Sequence, residues 1–130
     1  MGADSTYDPA AVPDQGTIEQ YVDEQLFNNT IDSLAAHIDR KKALADPVRY
    51  SLLYLLYDRE QMPRKQLANA TGLESSGLQY HLRDLLDANL IAEVPTPDEA
   101  DGRVTYYRIT TLGKQEIIAD IRNITGTHAE

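Results

Sequence analysis

The sequence predicts a mainly α-helical fold with a small β-hairpin, and two observations predict it. Apolar residues recur at spacings of three and four along most of the chain, as they do on one face of a helix, and two strand-like runs flank turn residues in its last third. With 130 residues the chain has the size of one domain. It contains no cysteine, which excludes disulfide frameworks, thiol catalysis and thiolate metal sites. No apolar run approaches the roughly 20 residues of a membrane span.

The chain opens with a segment that we expect to be disordered. Residues 1–16 combine prolines and aspartates without an apolar period, which predicts an acidic tail ahead of a single domain over residues 17–130. The first ten residues lack the charged and apolar regions of a signal peptide, so we expect a cytoplasmic protein. Thr17 can cap a first helix with its hydroxyl, and a second apolar stripe predicts a helix over residues 30–44.

Asp46 and Pro47 mark the start of a third helix, because aspartate caps exposed amides and proline has no amide to leave unpaired at the first helical position. Leucines form one face of this helix, and a second face consists of Tyr50, Tyr54 and Tyr57. Either the terminal helices cover this tyrosine face, or the face lines a pocket for an aromatic ligand.

The next two helices are predicted to form a helix-turn-helix over residues 63–89. Pro63 opens the first of them, Gly72 ends it, and Glu74-Ser75-Ser76 is expected to cap the second. Asn89 can close the second helix in the left-handed conformation. Three leucines of this second helix are expected to point inward, namely Leu78, Leu82 and Leu85.

A hairpin follows over residues 90–109. Leu90–Val94 and Arg103–Ile109 are its predicted strands, and the alternation of the second strand predicts that Tyr107 is buried. Thr110 can cap a last helix over residues 111–125. A helix-turn-helix followed by a hairpin is the order of elements in a winged helix-turn-helix, which places its second helix in the major groove of DNA.

Three segments carry a resemblance to a known family: LADPVRYSLLYLL, QLANATGLESSGLQYHLRDLLDANLI and GRVTYYRITTLG. They resemble three parts of the ArsR-type winged helix-turn-helix regulators. In order, these are the helix that precedes the helix-turn-helix, the helix-turn-helix itself, and the second strand of the wing with the helix cap that follows it. The wing is also similar to that of MarR- and PadR-type regulators. The resemblance covers about residues 43–116 and implies a dimeric DNA-binding regulator that acts as a repressor.

The second helix of the helix-turn-helix presents a candidate DNA-reading face. At 100° per residue, Ser76, Tyr80 and Arg83 lie opposite the inward leucines, and Gly77 and Gln79 flank them. Arg83 can bind guanine or phosphate, and Gln79 can pair with adenine. The complete set of candidate DNA contacts is Arg64, Lys65, Ser75, Ser76, Gly77, Gln79, Tyr80, Arg83 and Arg103.

The distribution of charge favours DNA binding by the middle of the chain. The net charge is -9, but residues 40–83 carry 8 basic and 4 acidic residues, whereas residues 1–39 carry 8 acidic residues and no basic one. Arg64 and Lys65 are expected to hold phosphates, and Arg103, just beyond an acidic wing tip, is a candidate for a minor-groove or phosphate contact. The excess of aspartate over glutamate and of arginine over lysine resembles the composition of proteins from salt-loving microbes.

One winged helix-turn-helix domain of this size makes few DNA contacts, so we expect a homodimer that binds two half-sites. The helices within residues 17–44 and 111–125 carry apolar stripes that exceed what one subunit needs to cover. Alternatively, both stripes pack within a single subunit. The candidate dimerisation residues are Ile18, Tyr21, Val22, Leu26, Ile31, Leu34, Ile38, Ile117, Ile121 and Ile124.

The predicted function is sequence-specific binding of double-stranded DNA at an inverted-repeat operator by a homodimeric repressor. The alternative is a winged-helix module that binds other proteins and not DNA, a role that the net acidity would suit. No enzyme and no cofactor are predicted, because the sequence gathers no acid, base and nucleophile. His81 is expected to pack beside the leucine face. A metal site is not predicted, since only His128 and Glu130, beyond the last helix, remain of the ligand types that the family's metal sensors use.

Overall fold

The computed structural model describes residues 16–95 and 104–126 and confirms the mainly helical class with a small sheet. The chain divides into two units, Met1–Ile38 and Asp39–Glu130, and the boundary falls within one helix. Of the predicted acidic tail, only Gly16 belongs to the described residues. The elements are α1 (Ile18–Phe27), α2 (Leu34–Ala43), α3 (Pro47–Arg59), β1 (Gln61–Pro63), α4 (Arg64–Thr71), α5 (Ser75–Asp87), β2 (Ile91–Val94), β3 (Tyr106–Ile109) and α6 (Thr111–Thr125).

The first unit contains α1 and the start of α2. The hydroxyl of Thr17 accepts a hydrogen bond from the Gln20 amide at 3.1 Å, and the Gln20 side chain accepts one from the Thr17 amide at 2.9 Å, so the predicted cap is a full capping box. The prediction that the second helix begins at residue 30 was wrong by four residues. The Ser33 hydroxyl instead accepts from the Ala36 amide at 3.1 Å, which fixes the helix start after Ser33.

In the second unit, α3 begins where the sequence predicts. The carboxylate of Asp46 accepts hydrogen bonds from the amides of Val48 and Arg49, both at 3.0 Å, and Pro47 occupies the first helical position. The helix buries Leu52, Leu53 and Leu56 in the core. Its other side carries the tyrosines.

We expect the cap at Asp46 to make stability depend on pH in the acid range. The amide of Arg49 donates to the carboxylate and, together with the guanidinium charge of Arg49, lowers the pKa of Asp46 below its ordinary value. A lowered folded-state pKa gives stability that is present above the ordinary aspartate pKa of about 4 and is lost as the pH falls through the folded pKa.

The Asp46→Asn variant keeps a capping side chain and removes the titration. The Tm of the wild type should therefore fall relative to that of the variant as the pH drops below about 4. Thermal unfolding followed by circular dichroism measures this difference. A difference that does not change with pH would contradict the assignment.

The sheet has three antiparallel strands in the order β1-β3-β2. The predicted hairpin corresponds to β2 and β3, which pair from Ile91 opposite Ile109 to Val94 opposite Tyr106. The sequence did not predict β1, which pairs with β3 and places Met62 opposite Tyr107. The described strands are also shorter than predicted: β2 begins at Ile91 rather than Leu90, and β3 begins at Tyr106.

The core of this unit forms where α3, α5 and α6 pack with the sheet. Its buried apolar residues are Ala43, Leu52, Leu53, Leu56, Met62, Leu67, Leu78, Leu82, Leu85, Ala88, Leu90, Ile91, Tyr107, Ile109 and Ile117. The predicted burial of Tyr107 is confirmed. The prediction that Ile117 contributes to a dimer face is corrected, because this side chain is completely buried in the core of its own subunit.

Helix α6 approaches the rest of the core unusually closely at Gly113. The hydroxyl of Thr110 caps the helix by accepting from the Gly113 amide at 3.0 Å, as predicted for Thr110. A Cβ atom on Gly113 would meet the backbone carbonyl oxygen of Leu90 and would lie 2.8 Å from Cγ1 of Ile109. The absence of a side chain therefore lets the first turn of α6 pack directly on the backbone of Leu90, immediately before β2.

Two acidic side chains on α6 bind groups of α2 and α3. Glu116 accepts from Nε of Arg40 at 3.3 Å and from Nζ of Lys41 at 3.1 Å, and the side chain of Arg40 is only 6% exposed. One turn later, the hydroxyl of Tyr50 donates to Asp120 at 3.1 Å. Burial raises the pKa of Tyr50 above its ordinary value, and the acceptor carboxylate of Asp120 raises it further. The phenol is therefore a neutral donor near pH 7.

Of the tyrosine face on α3, only part is covered. Tyr50 and Tyr57 are half-buried against the core, whereas Tyr54 is 47% exposed. The rings of Tyr54 and Tyr57 pack against each other with centroids 6.1 Å apart. Since Asp120 of α6 binds Tyr50, a terminal helix covers one end of the face, in agreement with the first of the two interpretations for that residue.

Candidate nucleic-acid interface

Helices α4 and α5 form the predicted helix-turn-helix. The turn begins at Gly72, whose φ of 72° is in the left-handed region that glycine adopts without strain, and the amide of Gly72 donates to the carbonyl of Ala68 at 2.8 Å. Asn89, with a φ of 61°, adopts the predicted left-handed conformation after α5. The expected capping of α5 is wrong, because the residue at its cap position, Glu74, makes no side-chain capping bond.

The two faces of α5 are divided as the sequence predicts. Leu78, Leu82 and Leu85 are fully buried. Ser76 and Arg83 are exposed, and Tyr80 is 63% exposed while its ring packs edge-on against His81. Ser75 is also exposed, and the two flanking residues Gly77 and Gln79 are half-buried. The helix thus carries polar side chains and one aromatic ring on a solvent-accessible face above a leucine face.

Arg64 joins the start of α4 to the start of α5. Its guanidinium donates through Nη1 to Oε1 of Gln79 at 2.7 Å and through Nη2 to the carbonyl oxygen and the hydroxyl of Ser75, at 3.0 and 3.2 Å. The sequence suggested only a phosphate contact for Arg64. These bonds show that it also fixes the polar side chains of the candidate reading face, whereas Lys65 next to it is exposed.

A second arginine, Arg49 of α3, holds the middle of α5. It pairs through Nη1 with Asp84 at 3.0 Å and donates to Nδ1 of His81 at 3.2 Å, while its Nε donates to the Ala43 carbonyl at 2.7 Å. The predicted packing role of His81 is thus accompanied by a hydrogen bond. Sequence reasoning did not find this contact, although three residues of spacing between His81 and Asp84 place them on one side of α5.

The wing is connected to the helix-turn-helix beside Arg64. The amide of Arg64 donates to the carbonyl of Thr105 at 2.9 Å, just ahead of β3. A groove of about 380 Å³ lies here, and its lining includes the apolar residues Leu78 and Val104 together with the cation Lys65. The backbone of the wing and the first turn of α4 therefore meet next to the candidate reading face.

Several predicted features lie outside the described residues. Arg103, the candidate wing contact, and the acidic wing tip belong to the segment between residues 95 and 104, and His128 and Glu130 follow the last described residue. Within residues 16–95 and 104–126, no group of three or more histidine, aspartate or glutamate residues is arranged to hold a metal ion. In the same part of the chain, no helix is both long and apolar enough to span a membrane.

Comparisons with known proteins agree with this geometry. Residues 44–94 match the helix-turn-helix domain family. The HTH-type transcriptional regulator Rv0081 of Mycobacterium tuberculosis is 32% identical over 83 residues, which are 64% of this chain and 68% of that protein. The arsenical resistance operon repressor of Bacillus subtilis is 39% identical over 66 residues, 51% of this chain and 58% of the repressor. The matches span between 34% and 68% of the lengths of the curated relatives.

Solved structures show the same fold. The crystal structure of Rv0081 is 29% identical, has a TM-score of 0.56, and covers 71% of this chain and 87% of its own. The homodimeric winged helix-turn-helix DNA-binding domain of Mb0332 from Mycobacterium bovis, described as a possible ArsR-family regulator, also has a TM-score of 0.56 at 23% identity, over 75% of this chain and 89% of that domain. The resemblance to ArsR-type winged-helix proteins is confirmed, and the chain belongs to the helix-turn-helix transcriptional regulators.

Proposed function

We propose that this protein is a homodimeric repressor that recognises an inverted-repeat operator with helix α5. The observation that carries the proposal is the exposed face of α5, where Ser76, Tyr80 and Arg83 are accessible above a buried leucine face. The major groove of B-DNA admits one such helix, and the outward residues near its start reach the base edges. Arg83 would bind guanine or phosphate, and Lys65 would hold a phosphate beside the helix.

The proposed dimer uses apolar side chains of the terminal helices and of the turn before α2. Five large apolar residues at these places are at least 40% exposed, a pattern that marks surfaces which bind another protein. The similar Mb0332 domain is homodimeric. The exposed candidates are Ile18, Leu26, Ile31, Ile38 and Ile124, and the half-buried ones are Tyr21, Val22, Leu34 and Ile121.

Repression, rather than activation, is proposed because the chain is similar to the arsenical resistance operon repressor. We also propose that the protein acts in the cytoplasm, where bacterial and archaeal DNA is located, and that it has no enzymatic activity. Its Asp- and Arg-rich composition is consistent with a salt-rich cytoplasm. The alternative of a module that binds only proteins is less favoured, because the named relatives are transcriptional regulators.

Selection of bound fragments from a random DNA duplex library, at low and at molar salt, tests this function. We expect enrichment of an inverted repeat with half-sites about 34 Å apart, one helical turn. On the selected duplex, Arg83→Ala should raise Kd by about 5- to 150-fold, the equivalent of about 1–3 kcal/mol for a base-reading arginine. Arg59→Ala, which removes an exposed arginine outside α4 and α5, is the matched control and should leave Kd unchanged.

The outcomes separate the parts of the proposal. An unchanged Kd for Arg83→Ala would remove this residue from the reading face. Enrichment of a site without twofold symmetry would contradict the dimer. If folded wild-type protein enriches no sequence at either salt concentration, DNA recognition itself is overturned.

A further inference from the structure

We propose that Arg64 is a positioning residue that sets the base preference of Gln79, so that Gln79 reads guanine rather than adenine. The proposal rests on the proposed function, since it concerns how α5 reads DNA. It starts from the 2.7 Å bond between Nη1 of Arg64 and Oε1 of Gln79, which connects the first residue of α4 to the reading helix.

The chemistry of the two side chains fixes the orientation of the amide. A guanidinium has only N–H donors, so the atom of Gln79 that faces Arg64 must be its carbonyl oxygen and not its NH₂ group. A bond from a charged donor is stronger than a neutral one. Turning the amide by 180° would bring two donor groups together and would lose this bond.

Arg64 is itself held in place by α5. Its Nη2 donates to the backbone carbonyl and to the hydroxyl of Ser75, in the first turn of the helix. The guanidinium is planar and rigid, so the bonds to Ser75 on one nitrogen also fix the direction of the bond to Gln79 on the other. The oxygen end of Gln79 is therefore tied to a fixed point of the protein.

This orientation leaves the NH₂ group of Gln79 for the base. Among the described residues, the structure gives this group no hydrogen-bond partner. A bidentate contact to adenine needs both the oxygen and the nitrogen of the amide to face the base edge. Guanine instead presents two acceptors in the major groove, N7 and O6, while adenine presents a donor beside N7. A Gln79 side chain that offers only donors therefore fits guanine, and the expectation from sequence that it pairs with adenine is replaced.

The test compares the base selected at one operator position by three proteins in the same library selection. The wild type should select guanine at the position that Gln79 reads. Arg64→Met removes the N–H donors that hold the carbonyl oxygen of Gln79, so the amide can turn and the preference should move from guanine to adenine by about fivefold or more. Gln79→Ala should lose the preference at this position and leave the other positions of the site unchanged.

Base identity is the decisive readout, because a merely structural or phosphate-binding role of Arg64 would change affinity without changing which base is selected. If Arg64→Met retains the wild-type base, the proposal is overturned. It is also overturned if the position that loses its preference in Gln79→Ala selects adenine in the wild type. The comparison of Gln79→Ala with the wild type tests the proposal even if the Arg64 variant does not fold. No enrichment by the wild type would overturn the proposed function, and this proposal with it.

Discussion

Replacing Gly113 with alanine is expected to lower the free energy of unfolding by about 3 kcal/mol, at the upper end of what overpacking costs. The added Cβ would meet the carbonyl oxygen of Leu90, and it would lie 2.8 Å from Cγ1 of Ile109 and 3.3 Å from Cδ1 of Leu53. The Leu90 oxygen cannot move away easily, because it accepts from both the amide and the hydroxyl of Thr110, each at 3.0 Å.

Urea unfolding of the wild type and the variant measures this loss. The matched control is Gly77→Ala on α5, whose Cβ would find Leu73 at 3.8 Å, an ordinary contact. Because alanine favours helix over glycine, the control should leave stability unchanged or raise it by up to about 1 kcal/mol. If the free energy of unfolding of Gly113→Ala lies within about 0.5 kcal/mol of the wild-type value, the close packing of α6 on the wing strands is contradicted.

Removing Glu116 is expected to have the second large effect. Glu116→Ala should lower the free energy of unfolding by about 3 kcal/mol, since it leaves the nearly buried guanidinium of Arg40 without the carboxylate it binds at 3.3 Å. Lys41, whose side chain is 51% exposed, can reach water and adds little to this loss. The cost arises from the removal of a carboxylate that binds a nearly buried guanidinium.

The double variant Arg40→Met with Glu116→Leu separates this cause from lost packing. It removes both charges and keeps apolar volume, so it should recover most of the stability that Glu116→Ala loses. Asp58→Ala is the control for an exposed pair, because Asp58 and Arg59 are 58% and 62% exposed; it should change stability by less than about 0.5 kcal/mol. If Glu116→Ala costs no more than this control, the pair is screened by solvent and the assignment fails.

The features that the sequence predicted correctly depend on neighbours a few residues away. Asp46 and Thr110 cap the helices that follow them, and Gly72 and Asn89 adopt left-handed conformations. Each of these signals acts within one turn of chain, so its residue type and position contain the necessary information. The division of α5 into a leucine face and an exposed face followed from helical periodicity in the same way.

The features that were missed depend on contacts between distant segments. Pro63 contributes to β1 at an edge of the sheet, where its missing N–H is tolerated, and three residues have no alternation that would reveal a strand. The bond between Arg64 and Gln79 requires the angle between two helices. The sequence of an apolar stripe on α6 does not reveal whether the same subunit or a partner covers it. For this reason Ile117 was predicted to contact a partner subunit, although it is buried in the core of its own subunit.

The order of strands in the sheet also determines when the protein can fold during its synthesis. Among the described residues, β1 and β2 do not pair with each other; each pairs with β3, which is made last. A nascent chain that has left the ribosome only as far as Val94 therefore has the whole helix-turn-helix but two strands with open edges. Until Tyr106–Ile109 emerge, such edges expose unpaired amides and carbonyls to other chains. A fragment cut to the family-matched residues 44–94 would be permanently in this state.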